Sequence, residues 1–261
     1  MKQTLNFTKY SGNGNDFVIL NNPQIHLEPK LVTEICDRHF GIGADGVLVL
    51  SQEDGVDGRM KIFNADGAEA EMCANGLRCL VTYLDEMAGI RKESYVIKTM
   101  NSTYRVAKID GAFAIEMSEL RDKNLYDLST FHEFDRSFFI NTGVPHLVFL
   151  STDVKALDLK TVAPKYRRHS FFPNGTNVNF VQIDSTEPQT AYVRTFERGV
   201  EDETYSCGTG LTATAMALNF WYGWSGKVRL KNLGGVQTVE IGDKILYSGE
   251  VKFCFSGEYH F

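Results

Sequence analysis

Hydrophobic positions along this chain fall mostly into short runs of roughly four to eight residues that alternate or stay apolar, the signature of strands rather than long helices. Such runs cover residues 16–21, 47–50, 60–64, 95–99, 103–109, 112–117, 146–150, 178–183, 191–196 and 251–255, and they are rich in Val, Ile, Phe and Tyr. Four other stretches repeat apolar residues with a helical period: 30–40, 75–88, 157–169 and 208–224. The pattern predicts a strand-rich α/β (α+β) protein.

Two of the predicted helices begin in the same way. In the first half a strand at 60–64 leads through a polar turn to Met72-Cys73-Ala74-Asn75-Gly76 and then a helix; in the second, a strand at 192–197 leads through a polar turn to Ser206-Cys207-Gly208-Thr209-Gly210 and then a helix. The two cysteines lie about half a chain length apart, as a duplicated fold requires. Residues 117–137 are polar and irregular and mark a boundary. The expected division is 1–116, completed by a C-terminal strand at 251–261, and 117–250.

At 261 residues, either one large domain or two of ordinary size fits. The net charge of -6 comes without a Lys/Arg run able to track a phosphate backbone, which argues against nucleic acid as partner. The densest basic spot, Arg167-Arg168-His169, reads as a solvated loop. Residues 1–20 lack the apolar stretch of a signal peptide, and no segment approaches the ~18 apolar residues that span a bilayer, so the expectation is a cytoplasmic protein without a membrane partner. Five cysteines, odd in number and widely spread, predict reduced thiols rather than a disulfide framework. Cys73 and Cys79 lack C-x-x-C spacing and the six histidines are scattered, which predicts no metal. Cys36, Cys79 and Cys254 lie in helical or strand patterns and read as packing residues.

A cysteine at a turn leading into a helix meets unpaired backbone N–H groups and the positive end of the helix dipole, which favour its thiolate and can also hold a carboxylate. A lone cysteine there is more often buried structure than chemistry; a matched pair shifts that balance. If both acted on one small carboxylate, a thiolate could remove an α-proton while a thiol returned one to the opposite face, exchanging roles on reversal. Stabilising the enolate-like carboxylate would then carry much of the catalysis. Ser11-Gly12-Asn13-Gly14-Asn15-Asp16-Phe17 begins like a nucleotide loop, but Phe17 occupies the third glycine position and the segment precedes a strand, so it reads as a tight turn presenting Asn side chains.

At these residues the sequence resembles the diaminopimelate epimerase family. The blocks that carry the likeness are SGNGNDF at 11–17, FNADGAEAEMCANGLRC at 63–79 and ERGVEDETYSCGTG at 197–210, with GIGADG at 41–46, GVPH at 143–146 and TNVNF at 176–180 in support. The resemblance implies two pseudo-symmetric domains, each a curved, mostly antiparallel sheet around a central helix, with the active site in the cleft between them and no cofactor, neither pyridoxal phosphate nor metal. It implies Cys73 and Cys207 as the acid/base pair and the backbone amides of Ala74, Asn75, Gly208 and Thr209 as ligands for the reacting carboxylate. Asn15, Asn64 and Asn177 correspond to polar substrate ligands, Glu197 and Arg198 to a substrate-binding pair, and His146 and Glu197 to residues that adjust the two thiols. Arg198 offers a planar fork for a distal carboxylate, as a diacid requires, and Asn side chains orient charged groups without adding charge. Without the motif, Asn64 would read as a turn former and Glu197–Arg198 as an exposed pair at a strand end.

Three positions depart from the family's pattern: Val144 replaces a frequent Asn before Pro-His, Ala74 a common Gly, and Gly46 a Gln of some members. They leave the proton chemistry intact and bear on substrate preference. The implied activity interconverts LL- and meso-2,6-diaminopimelate in lysine biosynthesis, with a small-molecule amino-acid substrate as partner and a homodimer compatible with it. The rivals are a related two-cysteine racemase or epimerase acting on proline, hydroxyproline or histidine, and a non-catalytic amino-acid-binding protein of the same fold. Arg198 weighs against the first and the pair of cysteines against the second.

Overall fold

The computed structural model describes residues 3–117, 121–127, 131 and 133–261. By internal contacts the chain divides into two compact units, residues 1–116 with 249–261, and residues 117–248. All five cysteines are thiols. Among the described residues no helix is long and apolar enough to cross a membrane.

The first unit contains β1 (Thr4–Gly12), β2 (Asn15–Asn21), α1 (Pro29–Cys36), β3 (Gly46–Ser51), β4 (Gly58–Asn64), β5 (Glu69–Ala70), α2 (Ala74–Glu86), β6 (Ser94–Lys98), β7 (Thr103–Ile109), β8 (Ala112–Glu116) and the last strand, β18 (Val251–His260). β1 pairs antiparallel with β18 and β2, β2 runs parallel to β3, and β3 is antiparallel to β4. β4 pairs with the short β5 and, in parallel, with β6, from which β7 and β8 continue antiparallel. α2 lies against β1, β2, β3, β4, β8 and β18, burying Leu77, Leu80, Val81 and Leu84.

The second unit contains β9 (Arg121–Asp127), β10 (Arg136–Asn141), β11 (Pro145–Leu150), α3 (Leu159–Arg167), β12 (Asn177–Ile183), β13 (Thr190–Glu197), β14 (Asp202–Thr204), α4 (Gly208–Tyr222), β15 (Gly226–Asn232), β16 (Gly235–Ile241) and β17 (Ile245–Gly249). Its pairings repeat those of the first unit step by step: β10 antiparallel to β11, β11 parallel to β12, β12 antiparallel to β13, β13 paired with the short β14 and in parallel with β15, then β15 antiparallel to β16. α4 takes the place of α2, against β10, β11, β12, β13, β15 and β16. Leu211, Thr212, Ala213, Thr214, Ala215, Ala217 and Leu218 are all buried on it, so small residues surround the helix where sheet closes on it. Thr212 and Thr214 satisfy their buried hydroxyls on the carbonyls of Gly208 and Gly210. Gly223 ends α4 in the left-handed conformation.

Several local expectations need correction. The helix foreseen over 30–40 stops at Cys36, because the Asp37 carboxylate accepts the N–H groups of His39 and Phe40 and folds the chain into a turn. The stretch 117–137 is not simply irregular: residues 121–127 form β9 and pair with β10, while 118–120, 128–130 and 132 lie outside the described residues. Of the basic spot read as a solvated loop, Arg168 and His169 are exposed beyond α3, but Arg167 is the last residue of the helix and half-buried, and both arginines bind the Glu201 carboxylate. Cys254 is exposed rather than packed, on a stretch of β18 where Lys252 to Ser256 are all exposed; the β1–β18 register also shifts there and leaves it between the partners of Lys9 and Tyr10.

Candidate active site

In the first unit the chain turns tightly between β1 and β2 at Asn13-Gly14, both with positive φ, as a two-residue hairpin requires. That turn sets Asn13 and Asn15 beside the start of α2. Asn75 donates from Nδ2 to Asn15 Oδ1 at 2.7 Å, and the fully buried Arg78 donates to Asn13 Oδ1 at 2.7 Å and to Asn75 Oδ1 at 2.9 Å. Asn15 in turn donates to Asp45 at 3.2 Å.

Cys73 is the N-cap of α2, with extended backbone, and its Sγ accepts the Gly76 N–H at 3.4 Å. Ala74 and Asn75 supply the next N–H groups of a first turn that helix geometry leaves without intrahelical acceptors. Asn64 ends β4 opposite Gly46, is exposed, and brackets a turn through bonds of its backbone with Ala68 and Gly67. A Cβ at Gly46 would stand 2.5 Å from the Phe63 carbonyl oxygen, so here a Gln side chain would collide with the β3–β4 ladder.

In the second unit Cys207 is the N-cap of α4 and is buried, but its side chain makes no capping bond to the helix. Its Sγ lies 3.4 Å from Thr209 Oγ1, which lies 2.9 Å from His146 Nε2. His146 is fully buried; burial and, after it, the charge of Arg198 push its imidazole down to about 3, so it is neutral at physiological pH. Asn177 ties together the neighbouring loops, donating to the Pro145 carbonyl at 2.9 Å and accepting the Arg198 N–H at 2.7 Å. Glu197 precedes Arg198 at the end of β13, opposite Asp202, and burial raises its carboxyl above the ordinary range. The Arg198 guanidinium donates to the Asn174 carbonyl at 3.1 Å. Val144 sits in the β10–β11 turn, its carbonyl accepting the Thr142 N–H.

The expected residues therefore gather into two clusters: Asn15, Asn75 and Cys73 with its helix in one unit, and His146, Asn177, Glu197, Arg198, Cys207 and Thr209 in the other. Sequence reasoning missed Arg78, Asn13, Asp45 and Asn179. Arg78 follows Asn75 by three residues and so shares its helix face. Asn179 follows Asn177 by two on a buried strand and so shares its sheet face. Both spacings were available signals. Among the described residues no group of three His, Cys, Asp or Glu side chains is arranged to hold a metal ion.

A sequence model of the family described as diaminopimelate epimerase matches residues 7–118 and 138–254. This chain belongs to the diaminopimelate epimerase family. It is 38% identical to a diaminopimelate epimerase of Methanocella arvoryzae, with 97% of this chain and 98% of that one covered, and 36% identical to one of Archaeoglobus fulgidus, with 96% and 95% covered. Of solved structures, a phenazine biosynthesis protein of the PhzF family from Enterococcus faecalis resembles it with a TM-score of 0.74 over 99% of this chain and 100% of that chain. At 12% identity that likeness is one of fold alone.

Proposed function

We propose that the protein interconverts LL- and meso-2,6-diaminopimelate without a cofactor, with Cys73 and Cys207 as the two proton carriers. The observation that carries this reading is that the N-cap of the long helix is a cysteine at the same step of a repeated topology. A thiolate takes the α-proton from one face and the other thiol delivers its proton to the opposite face. Their protonation states exchange with each turnover.

Removing an α-proton puts charge onto the substrate carboxylate. Ala74, Asn75, Gly208 and Thr209 offer first-turn N–H groups to that charge, where the helix dipole adds to the hydrogen bonds. Arg198 takes the distal carboxylate with its guanidinium fork. Asn15, Asn64 and Asn177 orient the amino and carboxylate groups. His146, kept neutral by burial, and Glu197, whose carboxyl burial raises, tune the thiols. The need for two thiols in the reduced state suits a cytoplasmic setting. A homodimer belongs to the same reading, and sedimentation would measure it.

The test is to incubate the purified protein with LL-diaminopimelate and with a panel including L-proline, trans-4-hydroxy-L-proline and L-histidine, then resolve the stereoisomers. The meso isomer should accumulate from LL-diaminopimelate alone. Turnover of one of the other amino acids instead, or binding without turnover, contradicts the proposal.

A further inference from the structure

A row of hydrogen bonds in the second unit ends on the sulfur of Cys207, and its direction is fixed at the far end. Asn179 is fully buried on β12. Its Nδ2 lies 3.1 Å from the Leu147 carbonyl oxygen and 3.2 Å from His146 Nδ1, while its Oδ1 accepts the Thr195 hydroxyl at 2.9 Å. A backbone carbonyl only accepts, so the amide atom facing Leu147 must be the NH2 and not the oxygen. That NH2 also faces Nδ1 of His146, which therefore accepts and carries no proton.

A neutral imidazole with an unprotonated Nδ1 bears its proton on Nε2. Nε2–H then donates to Thr209 Oγ1 at 2.9 Å. The Thr209 hydroxyl has one proton of its own, and with its oxygen accepting from His146 that proton is available to a Cys207 thiolate, whose Sγ lies 3.4 Å away and then has no proton to donate. Burial and the nearby Arg198 charge keep the imidazole neutral, so the polarity of the row holds across the physiological range. Gly210 makes room for it: a Cβ there would stand 2.5 Å from Asn179 Oδ1 and 3.3 Å from His146 Cε1.

We propose that Asn179 is a positioning residue that fixes the tautomer of His146 and thereby makes the Thr209 hydroxyl a hydrogen-bond donor to Cys207, favouring its thiolate. This rests on the reading of Cys207 as a proton carrier. It assigns to Thr209 a role for its side chain beyond its backbone amide.

Two measurements test it without substrate. Long-range nitrogen–proton correlations of His146 in the wild-type protein should show the Nε2–H tautomer from pH 6 to 9; an Nδ1–H tautomer overturns the proposal. In Cys73→Ala protein, alkylation of Cys207 by iodoacetamide, followed by peptide mass spectrometry against pH, reports its thiolate. Thr209→Val and Asn179→Ala should each move the half-maximal pH up by about one unit, tenfold in the thiolate equilibrium. Thr209→Ser should restore it, and adding Asn179→Ala to Thr209→Val should shift it no further, because Asn179 acts through Thr209. Additive shifts, or no shift in Thr209→Val, overturn the proposal. Should Asn179→Ala fail to fold, the tautomer and the Val/Ser pair at 209 still decide. Failure to turn over diaminopimelate would sink the functional reading while leaving these results standing.

Discussion

In the first unit the sulfur of Cys73 caps its own helix, accepting the Gly76 N–H, and the adjacent polar cluster is built around a buried cation, Arg78, shared by Asn13 and Asn75. In the second unit the sulfur of Cys207 leaves its helix uncapped and meets a side-chain hydroxyl, behind which stands a buried neutral imidazole. The backbone pairings around the two are the same, strand for strand. Duplication of a fold thus supplies two equivalent helix N-termini, while the side chains behind them give each thiol its own electrostatic setting. In the proposed epimerisation the two thiols are in opposite protonation states at any moment and serve faces that belong to different stereoisomers, so two unlike settings suit them.

The strongest way to break the comparison is to remove either sulfur. Cys73→Ala and Cys207→Ala should each lower epimerase turnover by about a thousandfold or more, the scale of a lost acid or base, while thermal unfolding stays cooperative near the wild-type midpoint. Turnover near wild type in one of them would make the pair unequal in function as well as in setting.

A smaller effect separates the first turns of α2 and α4 by their glycines. A Cβ at Gly210 meets the buried Asn179 oxygen at 2.5 Å, whereas one at Gly76 meets the movable end of Leu48 at 3.1 Å. Gly210→Ala should therefore cost about 1–3 kcal/mol in denaturant unfolding and Gly76→Ala less than about 1 kcal/mol, the helix gain offsetting a mild squeeze. Equal costs would mean that the two first turns are packed alike.

The smallest effect is a pH slope. His146 has a folded-state value of about 3 against an ordinary 6.5, so its contribution to stability is fully present above 6.5 and is lost as pH falls from 6.5 toward 3. Between pH 6.5 and 5 the wild-type unfolding free energy should fall more steeply than that of His146→Gln, by up to about 1.4 kcal/mol per pH unit. Parallel curves would show that the imidazole is not held neutral.

Much of this was legible in the sequence, for physical reasons that can be named. The helix starts at 73 and 207 announce themselves because a two-residue period gives way to a helical one across a cysteine followed by small residues. The strands β15 and β16 were not legible: Val228 and Leu230 are the buried pair of the first, Gln237 and Val239 of the second, and charged or polar neighbours dilute the alternation. β1 was missed for a related reason. Its inward face carries Leu5 and Phe7 and then a buried Lys9, which the fold accommodates with the Asp16 carboxylate at 2.8 Å and the Gly43 carbonyl. Buried polar residues such as Lys9, Arg78 and Asn179 break the hydrophobic pattern that sequence reading relies on, and their partners lie far away in the chain.

The central claim, one proton carrier for each face, is tested most directly by running the reaction briefly in deuterium oxide from LL-diaminopimelate. With Cys73 and Cys207 each holding its own proton, the base takes hydrogen from the substrate and the acid delivers deuterium acquired from solvent. The meso product should be labelled at the inverted α-carbon while recovered LL substrate stays nearly unlabelled. Original hydrogen returned to the product, or substrate labelled as heavily as product at early times, would mean a single base serving both faces and would contradict the two-thiol account.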